Sequence, residues 1–118
     1  MRYGVAFLLA VSVLWKASAV DASGKELFER RCTGCHAIDR EKSGPRLSGV
    51  YGRRAGSVAS FTYSESLRKS GVVWDHDTLD RWLANPESVA PDNDMPFRLA
   101  DEGERKAIIE YLRQISPK

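Results

Sequence analysis

The rhythm of apolar and polar positions changes several times along the chain. Residues 3–15 are almost wholly apolar. Beyond Ser23, the residues Leu27, Phe28, Arg31, Cys32 and Cys35 fall at i, i+1, i+4, i+5 and i+8, one face of a helix. Ser23 with Glu26 three residues later spells a capping box, so a first helix starts there and ends at the cysteines. From Ala37 to Ser60 the period dissolves, and Gly44-Pro45, Gly49, Gly52 and Gly56 mark turns. Glu65 to Lys69 reads as a short helix ended by Gly71, and Val72-Val73-Trp74 as a short extended run. Asp75 or Asp77 caps a helix whose apolar face is Leu79, Trp82 and Leu83, and Pro86 ends it. Pro91 to Pro96 resists regular structure. Asp101 and Glu104 form a second capping box, followed by the stripe Ala107, Ile108, Tyr111, Leu112 and Ile115 on a C-terminal helix.

At least three helices and no convincing sheet emerge from this pattern. The connecting loops are longer than a bare domain of this size tolerates, so something beyond backbone hydrogen bonding must organise them. The 118 residues allow one domain and hardly more, and 42% apolar with 29% charged residues is the composition of a globule rather than a disordered tail. There is no internal repeat. Two cysteines can build neither a disulfide framework nor, by themselves, a four-ligand zinc site.

The N-terminal block has the form of an export signal. Met1-Arg2 starts it, the apolar run follows, and Ala17-Ser18-Ala19 supplies the small-x-small cleavage pattern before Val20-Asp21. The run is shorter than the ~20 residues that span a bilayer. Residues 1–19 are therefore expected to be a cleaved signal peptide and 20–118 the mature domain, placed in the bacterial periplasm with no membrane insertion after cleavage. The formal charge of +2 belongs to the whole chain. Arg2 and Lys16 leave with the signal, and the 99 residues that remain carry 16 basic and 16 acidic groups. A neutral mature chain gives no ground for a nucleic-acid partner or an anionic membrane.

Cys32-Thr33-Gly34-Cys35-His36 is a C-x-x-C-H motif, the signature of covalent haem attachment. Cysteines at i and i+3 lie on the same side of a helical turn and can form thioethers with two vinyl groups. His36 then brings an imidazole under the iron as a ligand, and Gly34 leaves room for the macrocycle. The competing reading is a thiol–disulfide pair, which expects alternating strands and helices around the motif. A sixth iron ligand has two candidates in the mature chain, Met95 and His76. Met95 stands in the polar, proline-bracketed segment Pro91 to Phe97 rather than on an apolar stripe, so it is read as a ligand and not as core filler. His76, between two aspartates at a helix start, is read as solvated.

From Gly24 to about Leu112 the chain resembles class I cytochrome c. Gly24 and Phe28 match first-helix positions that pack against an aromatic of the last helix, here Tyr111. Cys32, Cys35 and His36 match the attachment motif, and Gly44-Pro45 with Leu47 the G-P-x-L turn. The resemblance implies an all-α cytochrome c fold, with three to five helices and long loops around one haem c. It implies that the Pro45 carbonyl accepts the second imidazole N–H of His36. It places Arg53 near a buried propionate, Tyr63 and Trp74 as hydrogen-bond donors to that propionate, Met95 as the thioether ligand, and Phe97 over the exposed haem edge. Trp82 stands where the family often has a tyrosine whose hydroxyl reaches the methionine sulfur, and Leu67 near a position that is often Asn. Both changes are expected to dry that side of the pocket. The mature chain has 5 Lys against 11 Arg, so the family's lysine ring is largely missing.

The function implied is a monomeric, soluble one-electron carrier with no catalytic residues. It would serve redox proteins: a dehydrogenase or reductase as donor, an oxidase or other acceptor. The alternatives are a haem peroxidase or gas sensor with a labile sixth ligand, and an assembly partner showing an apolar patch around Phe97 and Val89.

Overall fold

The computed structural model describes residues 2–4, 6, 10–13 and 23–117. The expected cleavage site at residues 17–20 lies outside them. Four α-helices follow in chain order: α1 Gly24–Arg31, α2 Glu65–Lys69, α3 His76–Ala84 and α4 Glu102–Gln114, with a 3-10 turn at Pro86–Ser88 between the last two. Among the described residues there is no strand, only an isolated antiparallel bridge between Arg54 and Val73. The expected extended run at Val72–Trp74 forms half of it. Ala55 N–H donates to Val72 O, and Trp74 N–H to Arg53 O.

Helix α1 crosses α4 at a point without side-chain bulk. A Cβ on Gly24 would lie 2.2 Å from Ala107 O. Next to that crossing, the Phe28 ring packs tilted against Tyr111, centroids 5.3 Å apart and planes at 52°. Of the α1 face only Leu27 and Phe28 are buried, because the helix stops at Arg31 and Cys35 has already turned away. The apolar face of α3 is as expected, with Leu79, Trp82 and Leu83 all buried. In α4 the buried residues are Ile108, Ile109 and Leu112. Ile109 lies outside the expected stripe because α4 is covered from two sides, by α1 and by α3.

The caps differ in detail from the expectation. Asp75, not Asp77, starts α3, and the reciprocal capping box belongs there: Asp75 Oδ1 accepts Thr78 N–H at 2.9 Å while Thr78 Oγ1 accepts Asp75 N–H at 2.8 Å. Ser23 and Asp101 cap one way only. Glu104 does not reach back to Asp101 because its carboxylate faces Arg31 of α1 at 3.2 Å. Pro86 ends α3 and also opens the 3-10 turn, where a residue lacking N–H costs nothing.

Candidate functional site

The end of α1 leads directly into the C-x-x-C-H motif. Cys32 is the C-cap, and its N–H closes the helix on Phe28 O at 2.8 Å. The next turn is tight: Cys35 N–H and His36 N–H both donate to Cys32 O, at 3.2 and 2.9 Å. The loop that follows folds back on it, with Gly44 N–H donating to Cys35 O at 2.7 Å and Lys42 Nζ to Thr33 O. His36 Nδ1 lies 2.7 Å from Pro45 O. A carbonyl can only accept, so Nδ1 carries the proton and Nε2 keeps its lone pair. Burial lowers the His36 pKa against the raising effect of the Pro45 bond, favouring the neutral ring that metal ligation requires. Gly44 seals the other face, where a Cβ would come within 2.4 Å of the imidazole. At Gly34 a Cβ would meet no protein atom within 4 Å, so nothing in the protein itself demands glycine there.

Both cysteines are free thiols. Burial pushes the Cys32 thiol up to about 11. A thiol–disulfide catalyst needs the opposite shift, toward thiolate, and its strands are absent among the described residues.

Met95 hangs from an irregular loop with a defined scaffold. Asp92 adopts φ 57°, turning the chain. Asn93 Nδ2 donates to Ala90 O at 2.9 Å and to Glu87 Oε1 at 3.1 Å, while its Oδ1 accepts Met95 N–H at 2.8 Å. The Met95 side chain, half-buried, packs on the core. Trp82 Nε1 donates to Met95 Sδ at 3.1 Å. The indole body of Trp82 is apolar, but its N–H delivers a hydrogen bond to the sulfur. Leu67 is buried. His76 is exposed at the first position of α3.

Arg53 is half-buried and bonded only to carbonyls, Arg46 O at 3.0 Å and Ser48 O at 3.3 Å. No carboxylate pairs with it among the described residues, and burial lowers its pKa, which is the environment of a cation awaiting an anion. Tyr63 Oη accepts Val58 N–H at 3.2 Å, leaving its own O–H to donate. The Trp74 side chain is buried, and its indole N–H makes no hydrogen bond among the described residues; the one buried side-chain polar atom there without a partner is Asn85 Oδ1. Phe97 packs against the core's edge. Two thiols beside a tautomer-fixed imidazole, with an arginine lacking its anion, fit a covalently attached haem with carboxylate side chains.

The family model for Cytochrome c matches residues 22–116. The chain belongs to the cytochrome c family. A cytochrome c2 iso-2 of Magnetospirillum molischianum is 44% identical over 87 residues, covering 71% of this chain and 90% of that protein. A cytochrome c type-1 of Ascaris suum is 40% identical over 95 residues, covering 78% and 85%. Among solved structures, a ferricytochrome c2 from Rhodopseudomonas palustris superposes with a TM-score of 0.72 at 35% identity, over 78% of this chain and 95% of that one. Cytochrome cH from Methylobacterium extorquens gives 0.73, also at 35% identity, over 77% and 94%. The mostly helical fold is that of a class I cytochrome c. Membership makes the chain a haem-based electron carrier rather than an enzyme, with one covalently bound haem c that the free Cys32 and Cys35 match. No helix among the described residues is long and apolar enough to cross a membrane.

Sequence reasoning passed over two contributors to this site. One is the Trp82 bond to Met95, whose signal was that Trp82, with a polar N–H of its own, matches the family position whose tyrosine hydroxyl reaches the methionine sulfur. The other is Arg105, which holds the exit of the Met95 loop. Its Nη1 donates to Leu99 O and Ala100 O, at 3.0 and 2.8 Å, and its Nε to Asp80 at 2.7 Å.

Proposed function

We propose that this cytochrome c is a periplasmic one-electron carrier in which His36 and Met95 would hold the haem iron. The observation that carries the proposal is the Nδ1–Pro45 hydrogen bond, which commits one ring nitrogen of His36 and leaves Nε2 for a metal. The haem c supplies the Fe(III)/Fe(II) couple. Cys32 and Cys35 tether it, and the Gly44–Pro45 turn holds the imidazole plane fixed. Asn93 and Trp82 hold the Met95 thioether. Two ligating side chains held this firmly by the protein would move little when the haem gains or loses an electron, which would lower the reorganisation a carrier must undergo. A thioether ligand in addition to an imidazole would favour the reduced state relative to two imidazoles. Arg53, Tyr63 and Trp74 offer one charged and two neutral donors to a propionate, neutralising it without solvent. Phe97 lies at the edge through which a small, short-lived interface would form with a dehydrogenase or reductase donor and an oxidase or other acceptor.

Residues 1–19 are proposed to be removed on export, leaving a monomer of residues 20–118. The Met95 tether disfavours the peroxidase or sensor alternative, since an open iron needs that loop to release. Visible spectra of the purified protein test the ligand set. Covalent haem with a weak sulfur-to-iron charge-transfer band in the ferric state is expected. That band should vanish in Met95→Ala, which should also bind carbon monoxide when reduced. A wild-type protein that is high-spin and binds carbon monoxide would overturn the assignment. Intact mass of the exported protein, beginning at Val20, checks the cleavage.

A further inference from the structure

We propose that Glu87 is a positioning residue for Met95: its carboxylate fixes the orientation of the Asn93 amide and thereby keeps the methionine loop closed. The inference rests on the Met95 reading above and deepens it by naming what retains that side chain. From Pro91 to Arg98 the chain makes no backbone-to-backbone hydrogen bond among the described residues. Pro91 and Pro96 have no N–H to give. The segment is fastened by side chains instead. Glu87 Oε2 accepts Asp92 N–H and its Oε1 accepts from Asn93 Nδ2, both at 3.1 Å. The carboxylate has a firm base. Glu87 lies in the 3-10 turn Pro86–Ser88, where Val89 N–H and Ala90 N–H both donate to Pro86 O at 3.0 Å, and Pro86 and Ala90 are buried.

The carboxylate acts at two adjacent residues. Asp92, with φ 57°, is the one non-glycine residue of positive φ among the described residues. Side chains of L residues disfavour that conformation, and the bond from its N–H to Glu87 holds the chain in it. Asn93 has a donor end and an acceptor end. Its Nδ2 also reaches Ala90 O at 2.9 Å, while its Oδ1 accepts Met95 N–H at 2.8 Å. With the amide flipped, its oxygen would face the Glu87 carboxylate and Ala90 O, and its NH2 would face Met95 N–H. Each of those contacts sets like against like, so the flipped amide is excluded. The negative charge of Glu87 thus acts through Asn93 to keep an acceptor against the Met95 backbone. A hydrogen bond with an ionised partner is roughly twice as strong as a neutral one. Opening the loop to release Met95 breaks both Glu87 bonds, so Glu87 sets how often that release occurs.

The test reads how often the loop opens. Imidazole added to the ferric holoprotein replaces the thioether without any electron moving, and at high imidazole its uptake levels off at the rate of loop opening. That plateau is measured in wild type, Glu87→Ala, Glu87→Gln, Asn93→Asp and the double variant Glu87→Gln/Asn93→Asp. Each protein is first checked for native helix content by far-ultraviolet circular dichroism. Amide hydrogen exchange at Asp92 and Met95 in the reduced protein reads the same bonds without added imidazole. Glu87→Ala is expected to raise the plateau about tenfold, the effect of losing charge-assisted bonds, and to speed exchange at both amides. Glu87→Gln offers one acceptor to two donors and should fall between Glu87→Ala and wild type. Asn93→Asp sets a carboxylate against Glu87 and Ala90 O and should open faster than wild type. In the double variant the amide at 87 donates to the carboxylate at 93, so its plateau should drop below that of Asn93→Asp. Rescue by exchanging donor and acceptor reports a direct coupling that packing alone does not produce. A wild-type plateau with wild-type exchange in Glu87→Ala overturns the proposal, and so does a double variant no slower than Asn93→Asp. A wild-type ferric spectrum without the sulfur-to-iron band instead overturns the Met95 reading, and the proposal with it.

Discussion

Single residues decide how closely the parts of this molecule approach one another. Gly24 is the sharpest case, since its missing side chain is occupied by Ala107 O. Gly24→Val would force α1 and α4 apart and break the Phe28–Tyr111 ring contact beside the crossing. Overpacking of this kind costs about 1–3 kcal/mol, and a backbone contact that cannot yield puts this site at the upper end. In a domain of about 100 residues that is a fall in Tm of roughly 4–8 °C per kcal/mol, measurable by thermal denaturation of the holoprotein. Gly34, with open space around it, carries no such penalty from the protein itself.

At the scale of elements, caps and clamps do the holding. Thr78 donates to Asp75 with both its N–H and its hydroxyl, and these bonds hold the Asp75 carboxyl below the usual carboxylate range. A carboxylate whose folded pKa lies below its unfolded value contributes stability that is complete above the unfolded pKa and fades as pH falls through the folded one. Asp75→Ala should cost about 1 kcal/mol at neutral pH. Asp75→Asn, an acceptor that does not titrate, should lose less at pH 7 and flatten the acid limb of the stability curve, followed by denaturant unfolding from pH 7 to 2. Arg105 ties α3, α4 and the loop leaving Met95 through one guanidinium whose side chain is only 12% exposed. Arg105→Gln should lower stability by about 1.5–3 kcal/mol through its lost charge-assisted bonds. It should also raise the rate at which the reduced protein takes up carbon monoxide, because the Met95 loop loses its anchor; stopped-flow mixing reads this directly.

Across the whole molecule the balance between order and cohesion is uneven. The stretch between α1 and α2 carries no helix or strand, yet it supplies Val50, Ala55 and Val58 to the buried set. Fixing each of its residues costs about 1–2 kcal/mol in backbone entropy, and isolated turns do not return that. The covalent haem must supply much of the cohesion. Cys32→Ala/Cys35→Ala, which cannot attach it, should therefore lose most of its helical circular dichroism at neutral pH and be rapidly cleaved by protease, whereas the holoprotein resists.

The parts of this protein that local chemistry specifies were legible in the chain. Helices α3 and α4 follow from apolar periodicity, α2 from its boundary at Gly71, and the attachment site from C-x-x-C-H, because each depends on residues within two turns of one another. The Met95 loop was legible for a related reason, its prolines excluding a helix. What the chain left open depended on distant partners. Glu104 turned away from its own helix start because Arg31 of α1 arrived beside it. Ile109 became core because two helices cover α4. Trp82 looked like an apolar replacement; only the folded backbone, bringing α3 within 3.1 Å of a loop thirteen residues on, gave its N–H a sulfur to hold. Sequence determines which chemistry is carried, since covalent structure is local, and tertiary structure decides which groups meet, since hydrogen bonds and ion pairs depend on ångström distances that no spacing along the chain encodes.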